Sequence, residues 1–162
     1  MKIKDLAMPL NEVTSPEVKR MYSIARTAPK TREKGWVGNK TFHGTSDQVT
    51  LKIDPTDLQD TEDWQRYACH THPEGSSPFP SVQDLNAFSQ LSIKPVDELD
   101  PNSSEIMGIV VFCGKNYVKL RNKRLRGRLN TSEYERAVQS NDVEGAIAAL
   151  ESMGFEVETD TL

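Results

Sequence analysis

The sequence predicts an α/β fold, in which one β-sheet with helices packed against it forms a single domain. The chain has 162 residues, which is most simply one domain with one hydrophobic core. Val49, Leu51 and Ile53 alternate with polar residues, a pattern typical of a half-buried strand. Apolar residues between positions 16 and 28 instead recur at helical spacing. The apolar content of 36% is enough for a sheet with flanking helices.

The N-terminal part of the chain predicts an irregular lead-in followed by a helix. We expect residues 1–15 to be the lead-in and residues 16–162 to form the domain. Ser15 is a good helix cap, because its hydroxyl can accept one of the N–H groups that a helix start leaves without a partner. The predicted helix covers residues 16–28, and Pro29 ends it.

The middle of the chain predicts strands, a loop and a second helix. Residues 35–53 predict strands with a polar turn at 44–47, and residues 54–63 predict a loop. The segment from Trp64 to Cys69 is rich in aromatic and apolar residues and predicts a strand. A helix over residues 81–91 follows after a loop rich in proline and glycine.

The C-terminal part predicts a hairpin and two helices. Gly114-Lys115 is typical of a tight turn between two strands. Gly154 is placed to end the last of the C-terminal helices, which lie within 131–153. The two strands of the hairpin are predicted at residues 106–113 and 116–121, and the two helices at residues 131–139 and 142–153.

Two of the three histidines lie one residue apart, directly after the strand predicted at 64–69. Side chains alternate along a strand, so His70 and His72 point the same way, with Cα atoms roughly 6.6 Å apart at ~3.3 Å per residue. Two imidazoles at that separation can converge on one ion about 2.0–2.1 Å from each nitrogen. Pro73 then ends the strand pairing, since it has no N–H to donate.

Ser81 and Asp84 have the spacing of a helix cap. The Ser81 hydroxyl can accept the N–H of Gln83 or Asp84 at the helix start. Asp84 lies on the same face of the helix as Ser81. The loop after His72 is long enough to fold this helix start back over the histidines, so Asp84 can supply a third ligand.

Two histidines and one carboxylate leave a fourth tetrahedral position open, which is typical of a catalytic zinc site. Zn²⁺ there lowers the pKa of bound water to around 7 and polarises a carbonyl. Such a site also needs a proton shuttle, for which Glu33 is the best candidate. Trp36 and Val37 predict the start of a short buried strand, from which Glu33 can reach a neighbouring strand.

The pattern resembles the JAMM motif of JAB/MPN-domain metalloproteases. The matching residues are Glu33, the run 70–73 that reads His-Thr-His-Pro, Ser81 and Asp84. The resemblance covers roughly Glu33 to Leu120, and it implies a single JAB/MPN-like domain with a central mixed β-sheet flanked by helices. This chain departs from the common pattern in a longer loop at 73–80 and in Glu-x-Gly at Glu33.

The resemblance also implies roles for the matching residues. His70, His72 and Asp84 would bind zinc, Glu33 would be the general acid and base, and Ser81 would help hold the tetrahedral intermediate. The family cleaves peptide or isopeptide bonds, notably those that join ubiquitin or ubiquitin-like proteins to lysines. We therefore expect a zinc-dependent peptidase or isopeptidase with a protein substrate that is ubiquitin-like.

Other interpretations of the same residues stay open. Ser81 and Asp84 are also a plain helix cap, Glu33 is also a solvated surface residue, and His43 is a loop histidine. The Pro-, Asp- and Ser-rich segment 92–104 is either a substrate-recognition loop, as in related proteins, or a passive surface loop. The whole chain is alternatively a non-catalytic scaffold of this fold, or a zinc hydrolase that acts on another amide or on a nucleic acid.

Composition limits the class of protein. A net charge of −4 and a pI near 5.4 argue against a general nucleic-acid binder. The sequence has no apolar run near the ~18 residues that span a bilayer, and its N-terminus lacks a secretory signal, so we expect a cytoplasmic protein. Cys69 and Cys113, the two cysteines, lie in apolar strand-like segments and predict buried free thiols.

Residues 115–128 form a basic stripe with seven lysines and arginines and no acidic residue. Such a stripe either binds an acidic partner or a nucleic acid, or it is a solvated strand edge that charge protects from aggregation.

Overall fold

The computed structural model describes residues 16–37, 40–45, 48–49, 51, 63–89, 108–122 and 131–161. Its four α-helices are α1 (Pro16–Ala25), α2 (Val82–Ser89), α3 (Ser132–Gln139) and α4 (Val143–Ser152). Its six strands are β1 (Lys34–Val37), β2 (Lys40–His43), β3 (Tyr67–Thr71), β4 (Gly108–Cys113), β5 (Asn116–Asn122) and β6 (Phe155–Thr161). The predicted α/β class is confirmed.

The described strands form one mixed sheet in the order β2-β1-β3-β4-β5-β6. The strands β3 and β4 are parallel and are joined through α2, whereas every other neighbouring pair is antiparallel. The carboxyl ends of β3 and β4 therefore meet at one edge, where open α/β sheets bind their ligands.

The sheet is covered on both faces. Helices α2, α3 and α4 pack on one face, where Leu85, Tyr134 and Leu150 join a core with Ala68 and Val118. Helix α1 packs on the other face, where its buried residues Val18, Met21 and Ala25 contact a second core. Strand alternation separates the two sets, since Ala68 and Cys69 are neighbours in sequence but belong to different cores.

Most of the described elements match their predictions. Helices α3 and α4, the hairpin of β4 and β5, and the buried strand start at Trp36 and Val37 are confirmed. Gly114 and Gly154 both have positive φ, as expected for a turn and a helix end. Helix α1 ends at Ala25, three residues early, because its last residues tighten into a turn in which the N–H of Ala28 donates to the carbonyl of Ala25.

Three predictions of strand or loop are wrong. Trp64 lies in a 3₁₀ turn (Asp63–Arg66), because the pairing with β4 begins at Tyr67. Val49 and Leu51, the described members of the alternating run, do not lie in a strand. His43 is the last residue of β2 and not a loop residue.

Strand β6 was not predicted, although its residues carry the signal. Phe155, Val157 and Thr159 alternate with acidic residues, which is the pattern of a half-buried strand. No element is predicted from the sequence beyond the glycine that ends α4. The segments predicted at 1–15, 54–62 and 92–104 lie outside the described residues.

Two of the three described basic residues of the stripe lie opposite acidic residues of a neighbouring strand. Lys119 and Arg121 of β5 lie opposite Glu158 and Glu156 of β6. Lys119 is 3% exposed, forms an ion pair with Glu17 of α1, and lies 5.1 Å from the centre of the Tyr67 ring. The prediction of a solvated strand edge is therefore wrong for β5, which lies between two strands.

Among the described residues, none of the helices has the length and apolar character needed to cross a membrane.

The ion pair between Lys119 and Glu17 should hold α1 on the sheet. We expect Lys119→Met to lower the free energy of unfolding by about 2–3 kcal/mol, because it leaves Glu17 without its buried partner. Urea denaturation measures this value. In a double-mutant cycle with Glu17→Gln, the coupling should reach about 1 kcal/mol.

The matched control is Lys115→Met, which makes the same change at the exposed turn before β5. It should alter the free energy of unfolding by less than about 0.5 kcal/mol. Strict additivity of the Lys119 and Glu17 variants would contradict the role given to this pair.

Candidate metal centre

His70 and His72 lie at the carboxyl end of β3, next to the end of its parallel neighbour β4. His70 is in β3 and lies opposite Gly35 of β1. The N–H of His72 donates to the carbonyl of Phe112 at 2.7 Å, so the pairing with β4 continues one residue past the strand. Gly35 has no side chain, and a Cβ at this position would clash with the side chain of Leu51, which packs there. The sheet therefore presents both rings at its carboxyl edge.

The orientation of the His72 ring is fixed by the loop that follows it. Its Nδ1 lies 2.5 Å from the carbonyl oxygen of Ser77. A carbonyl can only accept, so Nδ1 carries the proton and donates it. Nε2 is then the atom that is turned toward His70 and Asp84, as in metal sites where the second ring nitrogen is held by a backbone carbonyl.

Three potential ligand atoms form a small triangle. The Nε2 atoms of His70 and His72 are 3.1 Å apart, and Asp84 Oδ2 lies 3.1 Å from the first and 3.4 Å from the second. A tetrahedral ion with bonds of about 2.0–2.1 Å would hold its ligand atoms about 3.3–3.4 Å apart. The spacing of these side chains therefore fits one small cation bound to all three.

Asp84 owes its position to a reciprocal helix cap. The N–H of Asp84 donates to Ser81 Oγ at 3.0 Å, and the N–H of Ser81 donates to Asp84 Oδ2 at 2.9 Å. The predicted cap at Ser81 is confirmed, and Asp84 plays the part that Glu or Gln has in a capping box. The oxygen that caps the helix is the same one that faces both histidines. The same carboxylate oxygen of Asp84 therefore caps the helix and serves as the candidate ligand.

The pKa values of the site favour a negative Asp84 beside imidazoles. Burial alone would raise the pKa of Asp84, but hydrogen bonds from His70, His72 and the Ser81 N–H hold it well below its usual range. Burial alone would lower the pKa of His72, yet the hydrogen bonds to Asp84 and to the Ser77 carbonyl raise it. Asp84 therefore stays ionised, which is the form that binds a cation.

Glu33 lies beside the two histidines. It is 6% exposed, and its carboxylate and the two rings each offer a ligand atom within 4.8 Å of the others. The interpretation of Glu33 as a solvated surface residue is wrong. The structure places Glu33 beside His70 and His72, and it places Asp84 beside the same two histidines.

Three hydrogen bonds to the loop after His72 had no signal in the sequence. The thiol of Cys113 donates to the carbonyl of Ser76 at 3.0 Å. The hydroxyl of Tyr134 in α3 donates to the carbonyl of Pro80 at 2.5 Å, directly before the cap at Ser81. The N–H of Glu74 donates to the carbonyl of Lys30 at 2.9 Å. These bonds hold the loop at both ends.

Both cysteines are buried free thiols, as predicted. Burial raises the pKa of Cys69 far above that of an ordinary thiol, and burial also raises the pKa of Cys113. Neither is a thiolate near neutral pH. Cys69 belongs to the α1 face of the sheet, opposite to the face of His70.

No protein-family model matches this chain, and the comparisons with curated proteins and with solved structures likewise gave no match. The class of the protein therefore follows from fold and site alone. It is an α/β protein in which the buried group Glu33, His70 and His72 could hold a metal ion.

A zinc titration should distinguish the ligands from the residue beside them. We expect the wild type to bind one zinc ion, and His70→Ala, His72→Ala and Asp84→Ala each to weaken binding more than about 100-fold. The loss of a residue that only orients a ligand costs about 10–100-fold. Competition with a chromophoric chelator measures the affinities.

The comparison with Glu33→Gln decides which carboxylate binds the ion. Because Asp84 Oδ2 lies within 3.4 Å of both imidazole nitrogens, Glu33→Gln should weaken zinc binding less than about 10-fold. Loss of zinc in Glu33→Gln with full retention in Asp84→Ala would exchange the two assignments.

Tyr134→Phe should disturb the site from a distance. The change leaves the buried carbonyl of Pro80 without its donor, so we expect the free energy of unfolding to fall by about 1–3 kcal/mol. Zinc affinity should fall about 10-fold, because the cap at Ser81 is no longer fixed. Tyr22→Phe, the same change on α1 across the sheet, is the control and should leave zinc affinity unaltered.

Proposed function

We propose that this chain is a zinc-dependent peptidase or isopeptidase. One observation carries the proposal: three ligand atoms of His70, His72 and Asp84 lie within 3.4 Å of one another, with Glu33 buried beside them. Two imidazoles and one carboxylate leave the fourth coordination position of the ion open for water or substrate. In structural zinc sites, by contrast, four protein ligands fill all positions.

The donor set supports zinc over other ions. Imidazole and carboxylate suit zinc, whereas magnesium and calcium prefer sites made of oxygen atoms alone. His70, His72 and Asp84 would hold the ion. Bound zinc supplies Lewis-acid polarisation of the scissile carbonyl and makes water a nucleophile near neutral pH.

Glu33 would move the proton of the reaction. Its carboxylate takes a proton from the attacking water and then delivers it to the nitrogen of the leaving amine. Its location supports this role, because it is buried within 4.8 Å of both histidine nitrogens, although it directly precedes β1 and is distant from them in the sequence. A carboxylate in such a buried position is screened from bulk solvent, so the proton is passed between groups of the site.

Ser81 would stabilise the oxyanion. Its Oγ accepts the N–H of Asp84 at 3.0 Å, which leaves the hydroxyl proton to be donated elsewhere. Ser81 is exposed at the start of α2, where the helix dipole also favours negative charge. One donor of this kind is typically worth about 3–4 kcal/mol in the transition state.

The substrate class rests on the resemblance to JAB/MPN-domain metalloproteases. We propose a protein substrate in which a ubiquitin-like protein is joined to an amine. The described residues of the basic stripe do not favour a nucleic acid, because Lys119 and Arg121 face acidic partners of β6.

The test is cleavage of a linear ubiquitin fusion and of a lysine-linked ubiquitin chain by zinc-loaded protein. We expect wild-type protein to cleave at least one of them. Glu33→Gln should lower kcat by about 10²–10⁴-fold while zinc stays bound, since it removes the general base. His72→Ala should lose both zinc and activity.

Glu151→Gln on the exposed side of α4 makes the same chemical change as Glu33→Gln and should retain wild-type kcat. A zinc-loaded wild type that cleaves neither substrate would overturn the proposed function. A Glu33→Gln variant with full activity would overturn the role of Glu33 and leave the metal centre standing.

A further inference from the structure

Thr71, between the two histidines, is buried on the opposite face of the sheet. It is 5% exposed, and its Oγ1 accepts the backbone N–H of Lys34 at 3.0 Å. Lys34 is the residue directly after Glu33. The hydroxyl therefore connects the histidine strand to the residue next to the proposed base.

The bond lies at the end of the pairing between β1 and β3. Gly35 pairs with His70 and Trp36 with Cys69, so Lys34 and Thr71 occupy the next position of the same register. Successive N–H groups of a strand point to opposite neighbours. The N–H of Glu33 accordingly donates toward β2, to the carbonyl of Thr45 at 2.7 Å, and that of Lys34 donates toward β3.

Strand alternation puts Glu33 on the face of the histidines. Glu33 and Gly35 share one face of β1, and Gly35 lies directly opposite His70. Thr71 and Lys34 share the other face. The hydroxyl of Thr71 thus binds the backbone of β1 from the α1 face of the sheet. It contributes no atom to the candidate ligands on the other face.

We propose that Thr71 is a positioning residue, whose hydroxyl fixes the carboxylate of Glu33 relative to His70 and His72. This inference rests on the proposed function, in which Glu33 moves a proton. The geometry gives the reason. Glu33 has backbone bonds to Gly44 and Thr45 on its β2 side, and the Thr71 hydroxyl supplies the bond on the β3 side at this end of β1. Without it, the backbone next to Glu33 loses a hydrogen bond to the histidine strand.

Two substitutions separate the hydroxyl from the shape of the side chain. Thr71→Val keeps the branched volume and removes the acceptor, while Thr71→Ser keeps the acceptor and removes a methyl group. The first readout needs no substrate, since hydrogen exchange followed by NMR measures the protection of the Lys34 amide. We expect exchange to be at least about tenfold faster in Thr71→Val than in wild type, with Thr71→Ser close to wild type.

The second readout follows Glu33 itself. Zinc added to protein labelled with ¹³C at glutamate carboxyls should shift the resonance of the Glu33 carboxyl. This resonance is assigned by its absence from the spectrum of Glu33→Gln. That shift should be lost in Thr71→Val and retained in Thr71→Ser. Zinc affinity should stay within about threefold in both variants, because Thr71 supplies no ligand.

The third readout is turnover. We expect Thr71→Val to lower kcat at least about tenfold with little change in KM, and to add no further loss in a Glu33→Gln background. The positioning role would be overturned if Thr71→Val lowered kcat further in the Glu33→Gln background. It would also be overturned if Thr71→Val left either the exchange rate of the Lys34 amide or the zinc-induced shift of the Glu33 carboxyl unchanged. Wild-type protein that binds zinc with a Glu33 response but cleaves nothing would overturn the proposed function alone. Wild-type protein that binds no zinc would overturn both.

Discussion

The register between β1 and β3 decides which side chains can meet at this site. Gly35 lies opposite His70, so the side chains two residues apart on each strand, Glu33 and His72, fall on the same side of the sheet. A shift of one residue in this pairing would turn Glu33 to the α1 face, away from the imidazoles. The short strand β1 therefore has more effect on the chemistry than its four residues suggest.

The site also depends on a helix start that does two things at once. Asp84 Oδ2 accepts the N–H of Ser81 and faces the nitrogens of both histidines. A carboxylate in this environment needs compensation for its burial, and it receives it from a helix N-terminus, a backbone N–H and two imidazoles. The hydrogen bonds from the two imidazoles and from the Ser81 N–H also lower the pKa of Asp84 and keep it charged.

The parts of the site that are close in sequence could be predicted, and the parts that depend on distant pairing could not. His70 and His72 follow from strand alternation, and Ser81 and Asp84 follow from the spacing of a helix cap. The short apolar strand after Glu33 predicts its role, but its distance to the histidines depends on a register that no local pattern encodes. Tyr134 could not be predicted as part of the site, because its hydrogen bond to the Pro80 carbonyl joins residues 54 positions apart in the sequence.

Two errors in the fold have the same cause, which is that a strand needs a partner. Trp64 lies in an apolar segment, yet the pairing of β3 with β4 begins at Tyr67. β6 has acidic residues at every second position, and β5 carries the opposite charges at matching positions, as in Arg121 and Glu156. Comparing the charges of possible neighbours, and not the hydrophobicity of each segment alone, would have indicated β6.

Protein contacts hold the three candidate ligands in place. His70 is fixed by β3, His72 by its bond to the Ser77 carbonyl, and Asp84 by the cap of α2. Each of these supports uses protein atoms alone, so none of them depends on a cation. This distinguishes the centre from small zinc domains in which the metal supplies the folding energy. A preformed group of this kind suits catalysis, since its geometry is set by the fold while a coordination position stays open to change.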